Sequence, residues 1–249
     1  MIKYTFIYTA LIILLFSCSK DTLNRAESSS SGGSGVGGSL AKFTIVDNYL
    51  YVVETATLKT FDISNAANPI LKNSIVVGSN IETIFPYKNN LFIGSQNGMF
   101  IYNITNAEAP QYAGSANHVR SCDPVIANDT IAFVTLRAGS NCGSPRDGLY
   151  VYDVKSLTNP ILLNTKDLAT PYGLGLKNNT LFVCGGSNGL YVLNVANPAN
   201  PSVLQTLTGN NYLDVIPYNN ILICYVTDGI VLYDITNTNS IQLIKKITN

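Results

Sequence analysis

The side chains best suited to chemistry crowd into one stretch. Between positions 118 and 147 lie the only histidine, His118, together with Arg120, Cys122, Asp123, Arg137, Cys142, Arg146 and Asp147, in a chain where only 12% of residues are charged. An imidazole near a carboxylate, His118 with Asp123, has the makings of proton transfer. A nucleophilic set needs a third partner at fixed geometry, and none is legible. Glycoside cleavage needs two carboxylates about 5 Å or 6.5–9.5 Å apart. Glu82, Asp123 and Asp214 are the acids that could supply them, but three acids at the starts of inner strands more simply line a channel. No Cys-x-x-Cys or paired-histidine spacing marks a metal site. No phosphate loop, nucleotide fingerprint or calcium loop is present. Arg137 and Arg146, with Tyr172 and Tyr212, are residue types that anchor recognition. The expectation is therefore binding rather than catalysis, with no cofactor.

The 249 residues are 46% apolar and carry a formal net charge of zero. That excludes the basic footprint of a nucleic-acid binder. Tyr is abundant, at 15, and Trp is absent. Asn, Gly, Ser and Thr supply the polarity. Such a composition favours strands joined by tight turns, since aromatic and β-branched residues fit pleated surfaces and Asn and Gly tolerate turns.

A repeat positions these residues. Asp or Asn recurs at Asp62, Asn103, Asp153, Asn194 and Asp234, each within an apolar run such as Tyr102-Asn103-Ile104 or Tyr233-Asp234-Ile235. Three residues on come Asn65, Asn106, Ser156, Asn197 and Asn237. Seven residues on come Pro69, Pro110, Pro160 and Pro201, with Ile241 breaking the pattern. Five residues earlier come Gly98, Gly148, Gly189 and Gly229, with Thr57 in the first copy. The Asn-Gly and Asp-Gly steps among them are strong hairpin signals. Each copy reads as four strands, a to d, and a four-stranded unit repeating at about 40–45 residues is a propeller blade. The chain is thus predicted to be all-β, a five-bladed β-propeller over 41–249, with blades at about 41–78, 79–116, 117–168, 169–209 and 210–249. No strand is shared between the first and last blades. Closure would rest on apolar packing between them, as a monomer, or the array stays open and dimerises.

The run Leu190-Tyr191-Val192-Leu193-Asn194-Val195-Ala196-Asn197-Pro198, through Pro201, resembles the LVIVD repeats of bacterial and archaeal cell-surface proteins. The resemblance extends over 41–249. It implies a propeller-like fold and a surface location, and no shared activity.

In such a blade the a–b and c–d turns lie on one face and the b–c and d–a loops on the other. About ten extra residues, Leu136 to Arg146, interrupt the third blade between b and c. They bring Cys142 to the face where Cys122 opens strand a. The pair forms either a disulfide, the expectation, or two free thiols. The bond would close about twenty residues and stabilise by ~3 kcal/mol. His118, Arg120, Asp123, Arg137, Arg146, Tyr172 and Tyr212 gather on that face as the candidate binding surface. Cys184 and Cys224, third after Leu181 and Ile221, take equivalent core positions too far apart to bridge.

The start gives an address. Lys3 precedes an apolar run, Phe6 to Phe16, of roughly 16 Å as a helix. This is too short for a ~30 Å hydrocarbon core and suits a signal peptide over 1–17. Leu15-Phe16-Ser17-Cys18 resembles a bacterial lipobox, which implies cleavage before Cys18 and acylation of its sulfur. Residues 18–40, rich in Ser and Gly, read as a flexible tether. The expected setting is the cell envelope, lipid-anchored, at the outer membrane, with a protein or glycan as partner. The alternatives are an extracellular carbohydrate-active enzyme and a purely structural envelope protein.

Overall fold

The computed structural model describes residues 38–117, 124–138 and 146–248. The described residues form five antiparallel four-stranded sheets, at 43–76, 81–117, 125–166, 174–207 and 212–248, each with its strands in chain order. The a strands are Phe43–Val46, Ile81–Tyr87, Val125–Ala127, Leu174–Lys177 and Tyr212–Tyr218. They gather at the inner edges, where successive sheets meet. This is the five-bladed propeller architecture that the repeat predicts.

The repeated residues are accounted for by backbone hydrogen bonding. At the end of each c strand the Asp or Asn carboxyl or amide oxygen accepts the N–H two residues on: Ser64, Thr105, Lys155, Ala196 and Thr236, at 2.8–2.9 Å. The apolar residue between them donates its N–H to the a–b turn, as Ile104 does to Asn89 and Val195 to Asn179, both at 2.8 Å. The following Asn caps its own turn in the same way, Asn65 to Ala67 and Asn197 to Ala199. These are Asx-turns, in which a short polar side chain mimics a backbone bend. The glycine that opens strand c has a different reason from the one its Asn-Gly step suggests. Gly98 already pairs with Ser95, so Gln96 and Asn97 make the turn. A Cβ at Gly98 would lie 2.5 Å from the Ala116 carbonyl oxygen, and one at Gly229 would lie 2.0 Å from that of Ile247. At Gly98 close approach of strand d demands the glycine; at Gly229 a φ of 142° demands it as well.

Successive sheets bury four apolar cores. Ile84, Leu91 and Ile93 face the first sheet, Val125, Ala132 and Val134 the second, Leu174, Leu181 and Val183 the third, and Val215, Leu222 and Cys224 the fourth. Each large apolar side chain so buried contributes roughly 1.5–3 kcal/mol. Among the described residues no such core joins the fifth sheet to the first. The register makes the contrast quantitative. Phe43, opposite Val52, occupies the position held by Ile84, Val125, Leu174 and Val215. Those four are at most 1% exposed, whereas Phe43 is 61% exposed. Ile221, Tyr225, Ile230 and Ile247 are exposed on the corresponding face of the fifth sheet. Closure by apolar packing, expected from the repeat, is therefore not what is found.

Cys184 and Cys224 are likewise one register step from equivalence. Thr180 pairs with Asn194 but Ile221 pairs with Asp234, so the fourth b–c hairpin is one residue longer. That residue turns Cys184 toward the fifth sheet while Cys224 faces the fourth. Both are buried free thiols in one core.

An unsealed fifth seam predicts unequal costs at matched positions. Phe43→Ala should change unfolding free energy by less than about 1 kcal/mol, and Leu174→Ala should cost about 2–4 kcal/mol. Urea denaturation of the two variants checks this, and equal losses would refute the open seam.

Candidate functional site

The loop face is built around the ends of the third blade's insertion. Leu136 ends a fully buried strand, and the chain then leaves the sheet at Arg137. The Arg137 guanidinium stacks on the Tyr172 ring, 4.1 Å from its centroid. The Thr135 hydroxyl donates to the Tyr172 carbonyl at 2.7 Å, fixing that ring's backbone. Asp147 accepts the Ala138 N–H at 2.6 Å and the Thr170 N–H at 3.0 Å. One carboxylate therefore ties both ends of the insertion to the next d–a loop. Arg146 is exposed beside it. Arg137 and Tyr172 are thus brought together, as a recognition surface needs. Tyr212 is not part of it: its ring is fully buried and its hydroxyl shares a 2.6 Å hydrogen bond with that of Tyr233. It opens its strand facing the core rather than the face. His118, Arg120, Cys122, Asp123 and Cys142, and with them the candidate disulfide, lie outside the described residues, as does Cys18.

The proposed carboxylate set is not assembled among the described residues. Glu82 borders a shallow concavity with Lys42, Thr55, Asn80 and Gln96, between the first and second sheets. Asp214 borders a different one on the fifth sheet, with Ile216, Ile223, Tyr225 and Ile230. Asp214 is engaged by the chain entering the first blade. Its carboxylate accepts the N–H of Ser39, Leu40 and Val215 and the Ser39 hydroxyl, the last at 3.3 Å. The Ser39 oxygen in turn accepts the Leu174 N–H at 2.7 Å, and Ser39 is 1% exposed. Burial is the largest influence on Asp214 and raises its pKa to about 6; the hydrogen bonds pull the other way. The thiols of Cys184 and Cys224 lie within electrostatic reach, and burial lifts both of them too. Among the described residues no group of three His, Cys, Asp or Glu could hold a metal.

Among the described residues, an apolar cavity lies at the other end of the inner strands, by the a–b turns. It holds about 400 Å³ and is lined by Phe85, Tyr87, Ile126, Leu174, Leu176, Val215, Ile216 and Pro217, with Asn128, Asn178 and Asn179 among its polar groups. No lining residue is charged. Lys88, which approaches the Tyr87 ring, is paired with Asp129. This is the face of the a–b and c–d turns, opposite the one on which the sequence gathers its candidate binding residues. A signal for it exists in two inner strands, Phe85-Pro86-Tyr87 and Ile216-Pro217-Tyr218. Proline is tolerated in a strand only where no ladder donor is needed, so it marks these strands as edges lining an opening.

Comparison with known proteins supports the fold. The LVIVD repeat is matched at residues 37–77 and 174–208, which contain the first and fourth sheets. No curated protein matches the chain. Among solved structures, a functionally unknown protein from Desulfotomaculum acetoxidans aligns with a TM-score of 0.65 at 9% identity, over 88% of this chain and 70% of that one. Periplasmic gluconolactonase PpgL from Pseudomonas aeruginosa aligns at 0.63 and 14%, over 81% and 68%. AztD from Citrobacter koseri aligns at 0.59 and 14%, over 82% and 60%. The chain spans about 60% of the length of the first such structures. At these identities the likeness is one of fold alone.

Asp214 generates a pH prediction. Its folded pKa, about 6, lies above the ordinary 3.8. Between those values the folded protein keeps a proton that the unfolded chain releases. Its contribution is therefore complete below pH 4 and is lost as pH rises through 6. Asp62, Asp129, Asp228 and Asp234 are shifted downward by their own partners and act in the opposite sense. Wild type minus Asp214→Asn isolates the one group. That difference in unfolding free energy should drop by about 2–3 kcal/mol between pH 4 and pH 7. A difference that does not vary with pH would mean that Asp214 is solvated.

Proposed function

We propose that this LVIVD-repeat propeller is a non-catalytic binding module, held at the cell envelope through acylated Cys18, that takes a neutral glycan in the cavity at its turn end. The observation that carries this reading is the chemistry of the cavity. Phe85 and Tyr87 offer apolar ring surface, Asn128, Asn178 and Asn179 offer amides, and no charged side chain lines the space. Aromatic rings with a few placed polar groups are the usual makings of a small-ligand site, and about 400 Å³ lies within its normal range. A charged ligand entering this lining would lose hydration without gaining a counter-charge. A sugar ring has both an apolar face to lay on an aromatic side chain and hydroxyls for amides to meet. The loop face offers a second recognition surface through Arg137, but its Asp147 and Thr170 are occupied in holding the insertion.

Two experiments test the reading. Residues 19–249, purified without the signal and Cys18, should bind neutral oligosaccharides on a glycan array in preference to anionic ones. Phe85→Ala or Tyr87→Ala should weaken that binding about tenfold, in keeping with the worth of one aromatic contact. Arg137→Ala and Arg146→Ala should leave it unchanged. Loss that follows the arginines instead moves the site to the loop face, and capture of protein but no glycan replaces the ligand class. For the anchor, Cys18→Ser should shift the protein from the membrane fraction to the soluble one. An unchanged distribution would remove lipidation from the account.

A further inference from the structure

We propose that Gly38–Leu40 is a releasable strap that closes the ring between the first and fifth sheets, with Asp214 as the peg it hooks. Three observations carry this. First, the seam it spans lacks the apolar core of the other four: Phe43 is exposed where its counterparts are buried. Second, the strap leaves its own blade to make its contacts. Ser39 reaches the fourth sheet at the Leu174 N–H and the fifth at the Asp214 carboxylate, while Ala41, next in the chain, accepts the Ile84 N–H of the second at 2.9 Å. Four blades are thus tied by four consecutive residues. Third, the seat is fitted to the strap. A Cβ at Gly38 would lie 2.1 Å from one Asp214 carboxylate oxygen, and a Cβ at Gly173 would lie 2.1 Å from the other. Two glycines from distant parts of the chain leave room for one carboxylate, whose oxygens then accept three backbone N–H groups.

A strap held by a few hydrogen bonds over a seam with no core can open without unfolding the blades on either side. Local opening of this kind is set by the bonds broken locally, not by global stability. Opening would also loosen the inner strand at Leu174, which lines the turn-end cavity and donates its N–H to Ser39 of the strap.

Hydrogen exchange read by mass spectrometry tests the strap on residues 19–249. Ser39→Ala removes the hydroxyl that serves both Asp214 and Leu174. Amides of 43–54 and 212–226 should then exchange roughly tenfold faster or more, as expected for loss of a hydrogen bond to a charged group. Those of 131–136 and 180–195 should keep the wild-type rate. Gly38→Val, which drives a side chain into the carboxylate, should give the same two-ended pattern. Unchanged exchange at both ends in both variants would overturn the proposal. So would acceleration in all five sheets together, or failure of either variant to fold, since each would make these residues ordinary core.

Discussion

Every sheet in this chain has two apolar faces, and a lone sheet can hide neither. That constraint organises the molecule. Stacking five sheets creates four internal seams, and each seam consumes one face of two neighbours. The residues facing the preceding sheet, Leu91, Ala132, Leu181 and Leu222, are fully buried by it. Arithmetic leaves two faces over, one on the first sheet and one on the fifth. Many closed rings solve this by sharing a strand between the first and last blades. Among the described residues each of the five sheets is built from four consecutive strands, and none is shared between the first and the fifth. The remaining faces carry Phe43 and Ile45 on one side and Tyr225 and Ile230 on the other, all exposed. A polar device, the contact of Ser39 and Leu40 with Asp214, stands where a hydrophobic one is missing.

The repeat signature and the site are separate layers of the sequence. The recurring Asp or Asn, the apolar residue after it and the Asn three further on all satisfy backbone groups at the ends of strands c and d. Their chemistry is spent on the turn, so the repeat itself assigns no activity. Function, if it varies between copies, has to reside in positions that the repeat leaves unspecified. Two sets of such positions stand out: the inner-strand residues that line the turn-end cavity, and the third blade's insertion.

Much of the architecture was legible because the signature fixes strand ends. Asp62, Asn103, Asp153, Asn194 and Asp234 each end strand c in the structure, one residue before the end of the apolar run that contains them in the sequence. What escaped was whatever depends on a single step of register or on contacts between distant segments. Cys184 and Cys224 look equivalent when counted from Leu181 and Ile221, yet one added residue in a hairpin turns them to opposite faces of their sheets. Tyr212 looks like an opening on the loop face, yet its position in the strand points it inward to Tyr233. Ser39 sits at the edge of a Ser- and Gly-rich stretch read as tether, and nothing local distinguishes it. Only the partner 175 residues away makes it a buried contact.

The two ends of the inner strands are therefore unlike, and the difference follows from where the chain enters. At the loop end the entering segment crosses toward the fourth and fifth sheets and ties itself to Asp214 and Leu174. At the turn end short, uniform turns cannot reach across, so the space between the strands stays open. Charge divides in the same way. Arg137, Asp147 and Asp214, at the loop end, each have partners that fix their position. The turn-end cavity is lined without any. A ligand meeting this protein from the turn side encounters rings and amides over an apolar floor. One meeting it from the loop side encounters a guanidinium already laid on a tyrosine. That asymmetry favours the turn end for small neutral groups. It leaves the loop end to hold the ring together and to present the third blade's insertion.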